Sequence, residues 1–295
     1  SAFALFLSQL MATPDLGESK AARLLLGKAD KALRNALFAS RGVLPGKEEG
    51  LCPVLATGER RSLEALLLDA LLDATRAFWG TGSKRVVIVD DILEAVERSK
   101  ANDLPNTREI VDLFERTAAC VKSSKRPGQG LIIILDEAGK TLEHMVTSQG
   151  HGDIHLLQEL AEAANRSGDT PILFVVMLHQ AFESYAARLS AAHRNEWMKV
   201  QGRFEDVPFQ EPADQVLRLI GAAMDRGPLP NDLKQHGLAS AAAVAKLCSE
   251  QLIERSANLE ESLFETAPLH PTSALVLGPL FRSKLAQNER SLFAF

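Results

Sequence analysis

The stretch Leu131-Ile132-Ile133-Ile134-Leu135-Asp136-Glu137 decides how this 295-residue chain is read. Five apolar side chains follow one another without the alternation of a strand that has one wet face. They predict a strand covered on both faces, as in a parallel sheet. A polar, glycine-bearing turn over 125–130 leads into it, and two carboxylates leave it. The same pattern returns at Pro171-Ile172-Leu173-Phe174-Val175-Val176-Met177-Leu178. A shorter form, Cys52-Pro53-Val54-Leu55-Ala56-Thr57, ends in a turn at Gly58, and Val207-Pro208-Phe209 predicts a last short strand. Between them, helical sequence fills 2–12, 18–39, 62–80, 84–100, 106–123, 141–166 and 180–201, although Val86–Val89 also fits a strand. Asn106 or Thr107, ahead of Glu109, is the expected cap of the 106–123 helix. Strand and helix in alternation define an α/β fold. From about 212 onward no strand is evident, and 212–225, 238–257 and 271–287 read as helix. We therefore expect an α/β core over residues 1–210 and a helical subdomain over 211–295.

Composition bounds the function. Hydrophobic residues at 46% and charged residues at 24% suit a soluble globular protein. No apolar run reaches the roughly 20 residues of a membrane span. The net charge of -5 supplies no basic field for nucleic acid, which leaves DNA contact to a local groove or to another part of a larger protein. Cys52, Cys120 and Cys248 stand alone, the pattern of a reduced cytoplasmic protein rather than of a disulfide framework or zinc site. Two Trp and one Tyr offer few stacking platforms for single strands. The apolar opening from Ser1 to Met11 and the apolar close from Ser291 to Phe295 lead us to expect an internal piece of a longer protein. The opening stretch also lacks the basic leader of a signal peptide.

In open parallel sheets ligands gather at the carboxyl ends of the strands, where Asp136 and Glu137 fall. One carboxylate there suits a magnesium ion held largely through water, and a second suits the orientation and activation of an attacking water. Asp136 fits the first role and Glu137 the second. The same pair also suits a plain helix start, where acidic side chains meet the positive end of the dipole. In many AAA+ proteins the next strand ends in a polar sensor residue; resemblance to them implies His179 or Gln180 as a contact to a terminal phosphate or the water, while the plain reading is a polar strand end in solvent. Gly202-Arg203-Phe204, entering a short strand, resembles the region of AAA+ domains that presents an arginine finger. That resemblance implies Arg203 first, and Arg194 second, for stabilising charge on a transferred phosphoryl group. Glu196, Glu205 and Asp206 lie close in sequence and offer either arginine a structural ion pair instead. Gly150-His151-Gly152-Asp153-Ile154-His155 reads as a loop between helices and not as a metal site, since no third ligand is near.

Leu131 to Glu137 has the form of a Walker B segment. Leu178-His179-Gln180-Ala181-Phe182-Glu183-Ser184-Tyr185-Ala186, Arg194-Asn195-Glu196-Trp197, Val200 to Phe209, His270-Pro271, Phe281-Arg282 and Ala286 to Phe293 join it. Together they resemble the large bacterial P-loop ATPases of the AAA+/STAND type, similar in style to those of BREX-type phage-defence systems. The resemblance spans almost the whole chain. It implies a P-loop NTPase-like parallel sheet flanked by helices and followed by a helical lid, with ATP and Mg2+ as cofactors. It also implies a homo-oligomer, because Arg203 or Arg194 would act on a neighbouring subunit, and it makes a partner nuclease or methyltransferase a natural associate. Arg282 and Arg290 become candidate second sensors in the lid. Ser1 takes the place of the last residue of a Gly-x-x-x-x-Gly-Lys-Ser loop, where its hydroxyl ligates Mg2+. The glycines and lysine of that loop are not in the sequence, and Gly27-Lys28, Gly46-Lys47 and Gly139-Lys140 lack the partner glycine. We expect the loop just upstream of residue 1.

Overall fold

Three parallel strands, β1 (Leu51–Thr57), β2 (Gly130–Asp136) and β3 (Ile172–Val176), pair in the order β1-β2-β3. The all-apolar stretch is therefore the middle strand, and every residue of β2 is buried. Thr57 lies opposite Asp136, and Leu135 opposite Val176, so the three carboxyl ends share one edge. The computed structural model describes residues 2–13, 19–38, 50–80, 86–148, 151–180, 184–185, 191–207, 213–224, 227, 229–251 and 258–282. These residues fall into two compact units, 1–205 and 206–295.

Successive strand side chains point to opposite faces, and each face of β2 meets its own helical layer. Ile132 and Ile134 pack with α1 (Ala2–Met11), α2 (Ser19–Ala29) and α3 (Lys31–Phe38) through Ala4, Leu10, Met11, Ala22 and Phe38. Leu131, Ile133 and Leu135 join the larger core on the other face. That layer contains α4 (Leu63–Trp79), α5 (Val87–Lys100), α6 (Thr107–Ser123), α7 (Gly139–Ser148), α8 (His151–Arg166) and α9 (Ala191–Gln201). The first unit is thus an α/β sandwich with a small parallel sheet. The second consists, in its described residues, of α10 (Ala213–Ala223), α11 (Asn231–Glu250), α12 (Leu259–Glu265) and α13 (Pro271–Arg282) around Leu217, Ala241, Leu259, Leu263 and Ala274. Among the described residues no helix is long and apolar enough to cross a membrane.

Local chemistry sets the element boundaries. Asn106 accepts the Glu109 N–H at 3.0 Å while Glu109 accepts the Asn106 N–H at 3.1 Å, a reciprocal capping box that starts α6. Ser62 accepts the Ala65 N–H and starts α4. The 18–39 run is broken where Asp30 turns its carboxylate to the Leu33 N–H at 2.9 Å, so a cap forms inside an otherwise helical sequence. The 141–166 run divides into α7 and α8. Residues 151–155, expected in a loop, form the first turns of α8. Val87–Val89 belongs to α5, whose Ile88, Ile92, Ala95 and Val96 are buried at helical spacing. Val207 is not in a strand, and the rest of that expected strand, Pro208-Phe209, lies outside the described residues.

A buried arginine fixes the first layer. Arg23 donates from Nη2 to the Ala12 carbonyl at 2.8 Å and from Nε to the Leu10 carbonyl at 3.2 Å, and its guanidinium stacks 4.2 Å from the Phe38 ring centre. It thereby brings a positive charge to the negative end of α1. Burial, and secondarily the nearby Arg34, lower its pKa from the ordinary arginine value. Arg23→Met keeps most of the packing and removes the donors. Ser19 Oγ still donates to the Ala12 carbonyl at 2.9 Å, so the substitution leaves the Leu10 carbonyl without its Arg23 donor. Stranding one buried acceptor costs roughly 1–3 kcal/mol, and the urea midpoint is expected to fall. An unchanged midpoint would show that α1 is held by its apolar face alone.

Candidate functional site

The acidic pair sits where β2 leaves the sheet. Asp136 is buried, and its Oδ1 accepts the Glu137 N–H at 3.0 Å. Glu137 has φ of 50°, in the left-handed region. For a residue with a Cβ that conformation costs on the order of 1 kcal/mol and persists only where its surroundings impose it. The chain turns sharply here. It leaves Ala138 to donate its N–H to the Met177 carbonyl at 3.1 Å beyond β3 and then starts α7 at Gly139.

The turn after β1 holds this bend from the other side. Gly58 donates its N–H to the Asp136 carbonyl at 2.7 Å. A Cβ added at Gly58 would lie 2.1 Å from the Glu137 carbonyl oxygen, so no side chain fits while the acidic turn stays in place. One residue on, the Glu59 N–H donates to Thr141 Oγ1 at 3.1 Å, and the same hydroxyl donates back to the Glu59 carbonyl at 3.0 Å. Tyr185 closes the third side. Its ring and hydroxyl occupy the space a Cβ on Gly139 would need. The sequence places Gly58 in the turn after Cys52–Thr57 and Tyr185 within the Leu178–Ala186 resemblance, with no role for either, and carries no signal for Thr141.

The carboxylate of Glu137 is not left to solvent. Lys140 Nζ donates to Glu137 Oε2 at 2.5 Å, one turn along the start of α7. The pair is partly exposed, and such pairs contribute only about 0–1 kcal/mol to stability. Its significance is therefore chemical, because an ammonium at that distance neutralises the carboxylate and orients it.

His179 and Gln180 follow β3 on the same carboxyl edge as Asp136 and are exposed. Arg203 is elsewhere. Its Nη2 pairs with Glu162 Oε1 at 2.9 Å, and its carbonyl accepts from Asn165 Nδ2 at 3.3 Å. Glu162 and Asn165 lie at the end of α8, which leads into the start of β3, so Arg203 sits at the amino edge of the sheet. The two edges are separated by the length of a strand, on the order of 20 Å. Arg194 is exposed on α9, whose Trp197 and Val200 face the core. Arg282 ends α13. Ser1 and Arg290 lie outside the described residues.

Among the described residues no group of three or more His, Cys, Asp or Glu side chains could hold a metal ion. His155 reaches only Glu159, at 4.0 Å. Cys52, opposite Leu131 at the amino end of β1, is buried in the core and far from the carboxyl edge. Its thiol is pushed up to about 12 by burial, partly opposed by Arg126, which rules it out as a nucleophile at neutral pH. No protein-family model, curated protein or solved structure matches the chain.

Proposed function

We propose that this chain is the ATP-binding and ATP-hydrolysing module of a P-loop ATPase of the AAA+/STAND type, working in bacterial anti-phage defence. The observation that carries this reading is the placement of Asp136 and Glu137. They leave the middle strand of a parallel sheet at its carboxyl edge, between the Gly58 turn and the His179-Gln180 exit. Asp136 would hold Mg2+, which supplies charge neutralisation on the phosphates when bound. Glu137 takes the proton from the water that attacks the terminal phosphorus as the bridging P–O bond breaks, giving ADP and phosphate. Gln180 or His179 orients the water or the phosphate from the third strand. The phosphate cradle is the loop expected ahead of residue 1.

Arg203 supports a trans arrangement. At the opposite edge from Asp136 it cannot serve its own site, but it suits donation to a neighbouring subunit in a homo-oligomer. The module then couples nucleotide state to conformational change, assembly or work on DNA, in the cytoplasm, with a nuclease or methyltransferase as partner. Steady-state hydrolysis of ATP by the full-length protein, with and without Mg2+, tests the reading. Turnover that needs Mg2+ and is lost in Asp136→Ala supports it. Absence of both ATP binding and turnover in the unaltered protein rejects it.

The Lys140 contact favours a second reading, a nucleotide-dependent switch that barely turns over. While Lys140 donates to Glu137 Oε2, that oxygen is occupied and is not free to take a proton from water. On this reading Lys140→Met raises kcat several-fold. On the first reading the bound nucleotide already draws Lys140 away, and the substitution changes kcat little.

A further inference from the structure

Two surfaces of the first unit carry opposite charge on opposite faces of the sheet. One is on α2 and α3. Lys20, Leu24 and Lys28 are exposed at intervals of one helical turn, with Leu25 beside them. Leu24 is 62% exposed and Leu25 58%. The side chain of Arg34 crosses α2 at Gly27, where a Cβ would fall 2.6 Å from its Cδ, so α3 adds a cation to the same face. Lys31 and Leu33 are exposed alongside it; neither helix contains an acid, and Asp30 lies between them.

The other surface is a cleft of about 210 Å3 between α5 and α6, lined by Asp91, Glu94, Glu109 and Asp112 with Arg98 and Arg116. Arg116 pairs with Asp91 and Asp112, and Arg98 with Glu109 and Asp103. Carboxylates still outnumber guanidinium groups in the cleft two to one. Val87, one turn before Asp91 on α5, is exposed.

The α2–α3 layer packs on Ile132 and Ile134, whereas Ile92 of α5 and Ile110 and Phe114 of α6 belong to the core on the other face. One copy cannot bring its own two surfaces together. We infer that copies of this chain associate head to tail, the basic, leucine-bearing α2–α3 face of one seating on the acidic α5–α6 face of the next. Both surfaces are then used by one repeated contact. Nucleic acid on the basic face would leave the acidic cleft unused, and the chain as a whole is acidic, at -5. Because the two patches differ, the contact is heterologous and propagates into a ring or filament rather than closing as a two-fold dimer. This contact gives the homo-oligomer of the proposed function a surface, but it is argued from the two charged faces alone and tested without nucleotide, so loss of association and loss of ATP turnover are read separately.

Sedimentation velocity of the full-length protein is expected to show a weight-average coefficient that rises with concentration at low salt and falls back at high salt. Lys28→Glu/Lys31→Glu/Arg34→Glu, and separately Glu94→Lys/Asp112→Lys, are each expected to sediment as monomers. Mixing the two variants makes both kinds of contact complementary again, so association should return in the mixture, a result that misfolding of either variant cannot imitate. A single species at every concentration overturns the inference, as does self-association of either variant alone, or a mixture that stays monomeric. A basic-face variant that loses only nucleic-acid binding, with self-association intact, overturns it as well.

Discussion

Glu137→Gln is expected to bind ATP as the unaltered protein does and to hydrolyse it 10²- to 10⁴-fold more slowly, the usual contribution of a positioned general base. Gln is close to isosteric, accepts the same left-handed backbone no worse than Glu, and cannot take a proton from water. The substitution also dissolves the ion pair with Lys140, whose members are 23% and 57% exposed. Loss of a pair that open to solvent changes stability by about 1 kcal/mol or less. A collapse of turnover with the thermal midpoint nearly unchanged would therefore report on chemistry and not on folding. Steady-state phosphate release beside a direct nucleotide-binding measurement separates the two quantities. Equal turnover in both proteins would remove Glu137 from the mechanism and leave Asp136–Glu137 as an acidic helix start.

The strand that carries this pair was legible because its environment leaves no freedom in its composition. A middle strand buried on both faces favours apolar residues, and Leu131–Leu135 are all buried. The acidic pair was legible for the complementary reason, that polarity returns abruptly where the strand meets the edge. Val86–Val89 was ambiguous because a short β-branched run serves a buried helix face as well as a strand. The spacing of Ile92, Ala95 and Val96 settles it only when taken together with that run. The break at Asp30 depends on which local hydrogen bond wins, a matter of small energies. The partner of Arg203 was beyond reach. Its neighbours in sequence offered Glu196, Glu205 and Asp206, but the fold supplies Glu162 and Asn165, the latter 38 positions away. The bracing of the acidic turn was equally hidden, since Glu59 and Thr141 are 82 positions apart.

That bracing leads to the other large expected effect, at Gly58. The position requires glycine because of space. An alanine Cβ would meet the Glu137 carbonyl oxygen at 2.1 Å and the Glu137 carbonyl carbon at 2.8 Å, both backbone atoms that cannot swing aside. Relieving the overlap takes a displacement of about 1 Å, and overpacking of this kind costs roughly 1–3 kcal/mol. The displacement cannot be confined to Gly58, which also donates its N–H to the Asp136 carbonyl, while Glu59 is tied to Thr141 at the start of α7. The β1 turn, the acidic turn and the first turn of α7 move together or lose their hydrogen bonds. A 1 Å misplacement of reacting groups is enough to cost on the order of 100-fold in rate. Gly58→Ala is thus expected to lower hydrolysis about as far as a direct hit on the site, although Gly58 touches neither water nor phosphate. The urea midpoint should fall only by the overpacking cost. Thr141→Val tests the same path from the far side. It keeps the volume and removes the hydroxyl that joins the two turns, so it should lower turnover in the same direction and by less. If Gly58→Ala loses stability but keeps its rate, the acidic turn holds its shape without the β1 turn, and the left-handed backbone at Glu137 is fixed by Asp136 and α7 alone.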